Sequence, residues 1–376
     1  MATADSFGAS RDKILFTPGP LTTSATVKQA LLHDLGSRDN EFIETVKDIR
    51  HRLAAMTGAP DDYVAVLMQG SGTFSIEAVV SSCVPVGGRV VVIVNGAYGK
   101  RIVQMLRVLE IDHTVVECPE DQHPDLEDIR KALKGPRVDL VAVVHCETTT
   151  GIVNPIAEIG VLAHAAGAGY FVDAMSSFGA IPISFRDAHI DFLVSSANKC
   201  IEGVPGFGFV IARRDAIAET EGYARSLSLD LFAQWNGLEQ TGQFRFTPPT
   251  HTLLAFHQAL LELEAEGGVE GRGARYRKNY DTLVKGMRAL GFVEYLPADR
   301  QGYIITSFRC PAHANFKFEP FYSALSSKDY VIYPGKVSNA DCFRIGNIGH
   351  IYENDVRNLL AAIAEVLRDM EVVLNT

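Results

Sequence analysis

Several things are scarce in this 376-residue chain, and each scarcity removes a class of protein. No apolar stretch reaches the 18 or more residues that cross a bilayer, because Pro155, Glu158 and His164 interrupt the best run. The opening MATADSFGASRDK lacks the basic-then-apolar pattern of a secretory signal, so a soluble, cytoplasmic protein is expected. Cysteine is sparse and scattered: Cys83, Cys118, Cys146, Cys200, Cys310 and Cys342 form no C-x-x-C pair and no zinc-type spacing. Free thiols and no metal follow. Positive charge is also short, with 35 Lys and Arg against 45 Asp and Glu and a formal net charge of −10. That balance argues against nucleic acid as a partner, since phosphate neutralisation needs a clustered basic surface. A small anionic substrate held by a few focused arginines remains open. Repeats, low-complexity tracts and flexible linkers are absent.

What is present is a long alternation of apolar runs and helical patterns. Between about residues 60 and 215 the runs YVAVLM, RVVVIVN, HTVVEC, VDLVAVVHC, GYFVDA, DFLVSSA and FGFVIA are rich in β-branched residues and apolar almost throughout, as strands covered on both faces are. They predict an α/β fold with a mainly parallel, doubly wound, seven-stranded sheet. Phe42, Val46, Ile49 and Leu53 recur at helical spacing after the capping residue Asp39, and Gly58 closes that segment. Two further helices, over LLAFHQALLELEAEGG and YDTLVKGMRALGF, end at Gly267 and Gly291. Beyond them GYIITSFRC, YVIYP and CFRIGN read as strands, with helices near 318–327 and 353–370, which predicts a smaller C-terminal α+β domain. The expected division is an N-terminal arm over 1–13, a large domain over 14–265 and a small domain over 266–376.

Three segments carry chemistry. In LMQGSGTFSIEA (67–78) a strand gives way to Gly70-Ser71-Gly72 and a helix from Thr73, so backbone N–H groups and the helix dipole face one point that suits an anion. In GYFVDAMSSFGA (169–180) Asp173 closes an apolar strand, where a bare carboxylate needs a positive partner. In SSANKCIEGVPG (195–206) Lys199 follows the next strand. Taken singly, each has an ordinary explanation: a turn, a cap, a solvated charge. Consecutive parallel strands end on one edge of the sheet, however, and would bring all three to the same crevice. A phosphate cradle, an acid for a cationic ring nitrogen and a lysine able to form an imine are the protein's share of a pyridoxal 5'-phosphate site. Tyr98 in NGAYGK could stack on the ring, and Thr148 in HCETTTG could donate to its hydroxyl. Arg344 alternates with Phe343 and Ile345 and can reach the cleft, where its planar fork suits a carboxylate or phosphonate. Arg38 in GSRDNEF is a second candidate of that kind. His145 and Cys146 do not make a catalytic pair, because strand neighbours point to opposite faces.

These motifs, with LFTPGPLTTS, FRFTPPTH, EGGVEGRGARY, VIYPGK and FRIGNIG, resemble the class V aminotransferases of fold type I from about residue 14 to 350. The resemblance implies Lys199 as the Schiff-base lysine and Asp173 as partner of the ring nitrogen. It implies Ser71, Gly72 and Thr73 at the phosphate, with Tyr98, Thr148 and Asn198 around the ring. Thr247 would reach the cofactor of a neighbouring subunit, which requires a homodimer, and Arg344, with Arg38, would hold the substrate's acidic group. The similar branch of the family takes 2-aminoethylphosphonate and pyruvate. Phe244 stands where that branch has tryptophan and Asn347 where it has cysteine. Also open are a relative acting on glyoxylate with alanine or serine, a lyase or cysteine desulfurase on the same scaffold, which would need a mobile cysteine such as Cys200, and a non-catalytic binding module.

Overall fold

The computed structural model describes residues 12–374, so positions 1–11 of the expected N-terminal arm lie outside the described residues. Its centre is a seven-stranded sheet in the order Tyr63–Gln69, Phe207–Arg213, Phe192–Ser196, Gly169–Asp173, Leu140–Val144, Arg89–Val94, Asp112–Glu117. Only Phe207–Arg213 runs against its neighbours; every other pairing is parallel. Strands such as Leu140–Val144 and Phe192–Ser196 are buried at every residue, which is why their sequences carry no alternation. The exposed edge strand Asp112–Glu117 carries the polar residues instead. Asp39 caps the helix Asn40–Ala55 by accepting from the Glu41 amide, and Phe42, Val46, Ile49 and Leu53 pack into the core around the sheet.

A second core gathers Phe308, Phe321, Phe343, Ile345, Leu359 and Ile363, beneath a three-stranded sheet ordered Ile305–Arg309, Cys342–Gly346, Tyr333–Pro334 and the helix Glu353–Asp369. Phe16 belongs to this core, and the adjacent strand Ile14–Leu15 pairs in parallel with Tyr330–Val331.

Three elements differ from the sequence pattern. YVIYP is two short strands, Tyr330–Val331 and Tyr333–Pro334, that serve different sheets, with Ile332 buried between them. The run through VDLVAVVHC divides at His145: Cys146–Glu147 leaves the main sheet to form a hairpin with Ile152–Val153, which lifts Thr148 over the sheet edge. The helix expected from Tyr280 begins twelve positions earlier and runs Gly268–Ala289. Glycines at 268, 271 and 273 depress its intrinsic helicity, whereas the burial of Arg272, Tyr276 and Asn279 holds it in place. The helix ends do fall at Gly267 and Gly291, both with positive φ. Among the described residues no helix is long and apolar enough to cross a membrane.

Candidate active site

The strands Tyr63–Gln69, Gly169–Asp173 and Phe192–Ser196 run in one direction, so the residues that follow them leave from one edge of the sheet. Their meeting can be read from close packing. A Cβ at Gly72 would lie 2.1 Å from Met175 Cε and 3.3 Å from Ser196 Cβ. The turn after the first strand is therefore packed against the residue two beyond the second strand and the last residue of the third, so closely that a side chain at Gly72 would displace Met175.

Ser71 sits at the N-cap of the helix Gly72–Ser82 in extended conformation, yet its hydroxyl makes no capping bond. The amides of Gly72, Thr73 and Phe74 have no acceptor among the described residues. Unspent donors at the positive end of a helix dipole suit a phosphate. Arg101 Nη1 lies 3.4 Å from Thr73 Oγ1, and its guanidinium stands 4.9 Å from the centroid of the Tyr98 ring.

Asp173 is 1 % exposed and has no ion pair among the described residues. One carboxylate oxygen accepts from the Met175 amide at 3.0 Å. Burial pushes its pKa up to about 6, against the opposing pull of that amide, Lys199 and Arg101. A buried carboxylate that is short of positive charge suits a ring cation. Beside it His145 is buried, with Nδ1 2.9 Å from Ser177 Oγ, and burial takes its pKa down to about 4, so it is neutral at physiological pH.

Lys199 stands three residues beyond its strand, and its amine donates to the Pro18 carbonyl at 2.5 Å. Burial pushes the amine below its ordinary value, while Tyr98, Cys200 and Asp173 pull the other way. Asn198 Oδ1 accepts from Ser196 Oγ at 2.8 Å, bracing the turn. Cys200 is fully buried, its thiol donating to Ser176 O at 3.3 Å; burial raises its pKa to about 12. Such a thiol is neither mobile nor nucleophilic at neutral pH, which removes support from the desulfurase alternative.

Tyr98 opens the helix Ala97–Val108. Burial alone would raise its pKa, but Lys199, the Thr148 hydroxyl, Lys336 and Arg344 around the phenol bring it below its usual value. The helix is held by Glu147, whose carboxylate accepts from the amides of Tyr98 at 3.1 Å and Gly99 at 2.8 Å and from Thr149 Oγ1 at 3.1 Å. Arg344, 3 % exposed, donates from Nε to Pro334 O at 2.9 Å and from Nη1 to Thr148 O at 2.7 Å. No carboxylate among the described residues pairs with it.

Ser71, Gly72, Thr73, Tyr98, Thr148, Asp173, Asn198, Lys199 and Arg344 thus lie on one connected edge. Thr247 is exposed, and Gln69, at the end of the strand that leads to Ser71, donates to its carbonyl at 3.3 Å. Arg38 is exposed and has no hydrogen bond or ion pair to this group. Phe244 packs half-buried against the main core. Asn347 is fully buried, with Nδ2 donating to Tyr303 O at 3.3 Å and Oδ1 unpartnered among the described residues.

Sequence reasoning passed over Pro18, Arg101 and Glu147. Arg101 had a signal, because it follows Tyr98 by three positions and so shares its helix face. Pro18 and Glu147 had none beyond their place in recurring motifs.

Solved aminotransferases share this architecture. The alanine–glyoxylate aminotransferase of Nostoc sp. superposes with a TM-score of 0.88 at 24% identity, covering 96% of each chain. The pyridoxamine–pyruvate aminotransferase of Mesorhizobium loti gives 0.87 at 23% identity, covering 97% of this chain and 94% of its own. The fold is therefore that of the fold type I aminotransferases. Within that class, residues 21–318 match the family described as Aminotransferase class-V, and the chain belongs to it. Its curated relatives include proteins named 2-aminoethylphosphonate--pyruvate transaminase from Salmonella typhimurium and Salmonella agona, each 51% identical over 357 residues, or 94% of this chain and 97% of the relative.

Proposed function

We infer that this enzyme transfers the amino group of 2-aminoethylphosphonate to pyruvate, giving phosphonoacetaldehyde and L-alanine. The observation that carries the reading is the 51% identity with the Salmonella transaminases over nearly the whole of both chains. The donor set fits pyridoxal 5'-phosphate: free amides and a hydroxyl at Ser71–Phe74 for its phosphate, Asp173 for its ring nitrogen, and the Lys199 amine for its aldehyde. When bound, the cofactor supplies a carbonyl that captures the amine and a cationic ring that accepts an electron pair.

The chain's own groups do the rest. Asp173 would keep the ring nitrogen protonated, its buried carboxylate gaining the positive partner it lacks among the described residues. Lys199, whose amine burial pushes below its ordinary value, takes the proton from the aminomethyl carbon of the donor and returns one to the nascent amino acid. Over both halves of the reaction one C–H bond breaks on the phosphonate and one forms on the carbon that becomes the α-carbon of alanine. Tyr98 would stack on the ring and Thr148 would donate to its hydroxyl, while Asn198 braces the lysine turn. Arg344 grips the phosphonate in one half-reaction and the carboxylate in the other. Its buried guanidinium faces no carboxylate among the described residues and so keeps its charge for such an anion.

In this reading the site belongs to a homodimer, in which Thr247 would reach the phosphate of the partner's cofactor. Exposed Phe74 and Phe246 support this: Gln69 ties the Phe246 carbonyl beside the Ser71 turn, so apolar surface collects where a partner would cover it. Its six free cysteines suit a reducing cytoplasm.

Mixing cofactor-loaded protein with 2-aminoethylphosphonate and pyruvate tests the reading. Alanine should accumulate in step with phosphonoacetaldehyde; its absence from fully loaded protein would contradict the assignment.

A further inference from the structure

The chain is acidic overall, and lysines such as Lys100, Lys278 and Lys328 stand against glutamates. Lys336 does not. It is exposed and has no carboxylate partner among the described residues, yet its amine stands 5.2 Å from the centroid of the Tyr98 ring. The loop that carries it starts beside Arg344: Tyr333 is the cross-strand partner of Arg344, and the guanidinium lies 5.5 Å from the Tyr333 ring centroid. Pro334 then supplies the carbonyl that Arg344 Nε binds. A Cβ at Gly335 would fall 2.0 Å from the Cys342 carbonyl, so the loop hugs the strand of Arg344 at the step before Lys336. Beyond it, Ser338 is latched to Glu120 through its amide at 2.9 Å and its hydroxyl at 2.6 Å, and Asn339 accepts from the Tyr295 hydroxyl at 2.7 Å. The loop is therefore pinned on both sides of a lysine that has nothing of its own to neutralise.

We propose that Lys336 and Arg344 form a two-cation subsite that selects the phosphonate of the amine donor over a carboxylate. This rests on the reading of the chain as a phosphonate transaminase. The charge count supplies the reason. A carboxylate carries one negative charge, which Arg344 alone matches, whereas a phosphonate, like a phosphate monoester, carries between one and two at neutral pH and offers three acceptor oxygens. Arg344 provides the planar fork, and Lys336 the mobile point charge for the second unit. One pocket can then hold pyruvate and alanine through Arg344 and gain further attraction only when the phosphonate enters.

Lys336→Gln keeps most of the length and removes the charge, and an exposed position puts the fold at little risk. In the holoenzyme, kcat/KM for 2-aminoethylphosphonate should fall on the order of ten- to a hundredfold, mostly through KM, while the loss for L-alanine as donor should be at least about tenfold smaller. Lys336→Arg should recover most of the difference. Calorimetric titration should show weakened binding of ethylphosphonate with little change for propionate. Equal losses for both donors, or no loss for either, would overturn the subsite. If the unmodified enzyme turns over no 2-aminoethylphosphonate, the substrate reading fails instead, and the ethylphosphonate and propionate titrations still decide the role of Lys336.

Discussion

At one edge of the central sheet Asp173, Glu147 and Arg344 are buried without an oppositely charged partner among the described residues, and among them the Lys199 amine bonds to the Pro18 carbonyl. At the other edge, where most of the same strands begin, lies a cleft of about 740 Å³ lined by Tyr63, Asp139, Gly169, Asp191 and Arg213. Most of its charges are matched, among them Arg137 with Asp139 at 3.2 Å, Arg186 with Asp62 at 3.1 Å and Arg213 with Asp191 at 2.8 Å. Unmatched and largely matched charge are thus on opposite sides of one sheet. Charge that is costly to bury and left uncompensated marks the reacting edge, because a bound molecule can supply the missing partner. Charge that is solvated and paired leaves nothing for a ligand to gain.

The contrast breaks most sharply at Lys199. Lys199→Ala should lower transamination roughly a thousandfold or more while leaving the fold intact, as measured by alanine formation and circular dichroism. Arg344→Ala removes the charge-assisted grip, with an expected cost of about 2–4 kcal/mol, or roughly thirty- to a thousandfold in kcat/KM, and with cofactor absorbance retained. Normal kinetics in that variant would take Arg344 out of the site.

Glu147 sharpens the comparison through pH. Burial, its largest influence, pushes its pKa from 4.5 up to about 7, although the amides of Gly99 and Tyr98 and the Thr149 hydroxyl favour the charged form. The folded state therefore prefers the protonated acid. The stability this contributes is complete below pH about 4.5 and is lost as pH rises through about 7. In Glu147→Gln that titration is gone. Urea unfolding at pH 5 and pH 8 should show wild type losing ground to the variant by a few kcal/mol, on the order set by a shift of this size. A constant difference across that range would mean that Glu147 is charged throughout. The smallest effect belongs to the other edge: Arg186→Ala should change stability by less than about 1 kcal/mol and turnover by less than about twofold, because an exposed pair contributes little.

The sheet was legible because buried parallel strands write themselves as unbroken apolar runs, and the strand ends led directly to Ser71, Asp173 and Lys199. Legibility failed where a residue acts through the third dimension. Pro18 meets Lys199 across 181 positions of chain. Glu147 reads as one more polar residue in HCETTTG until the helix of Tyr98 is laid against it. The helix starting at Gly268 was hidden by its own glycines, since local propensity opposes what tertiary packing enforces. Lys336, inside VIYPGK, carries no signal of its own in the sequence, and it shows its significance only beside Tyr98 and Arg344.

Borohydride reduction of the cofactor-loaded enzyme, followed by peptide mapping, tests the central claim most directly. The account predicts pyridoxyl label on the peptide containing Lys199 and none in the Lys199→Ala variant. Label on Lys336, or on any other lysine, would contradict it.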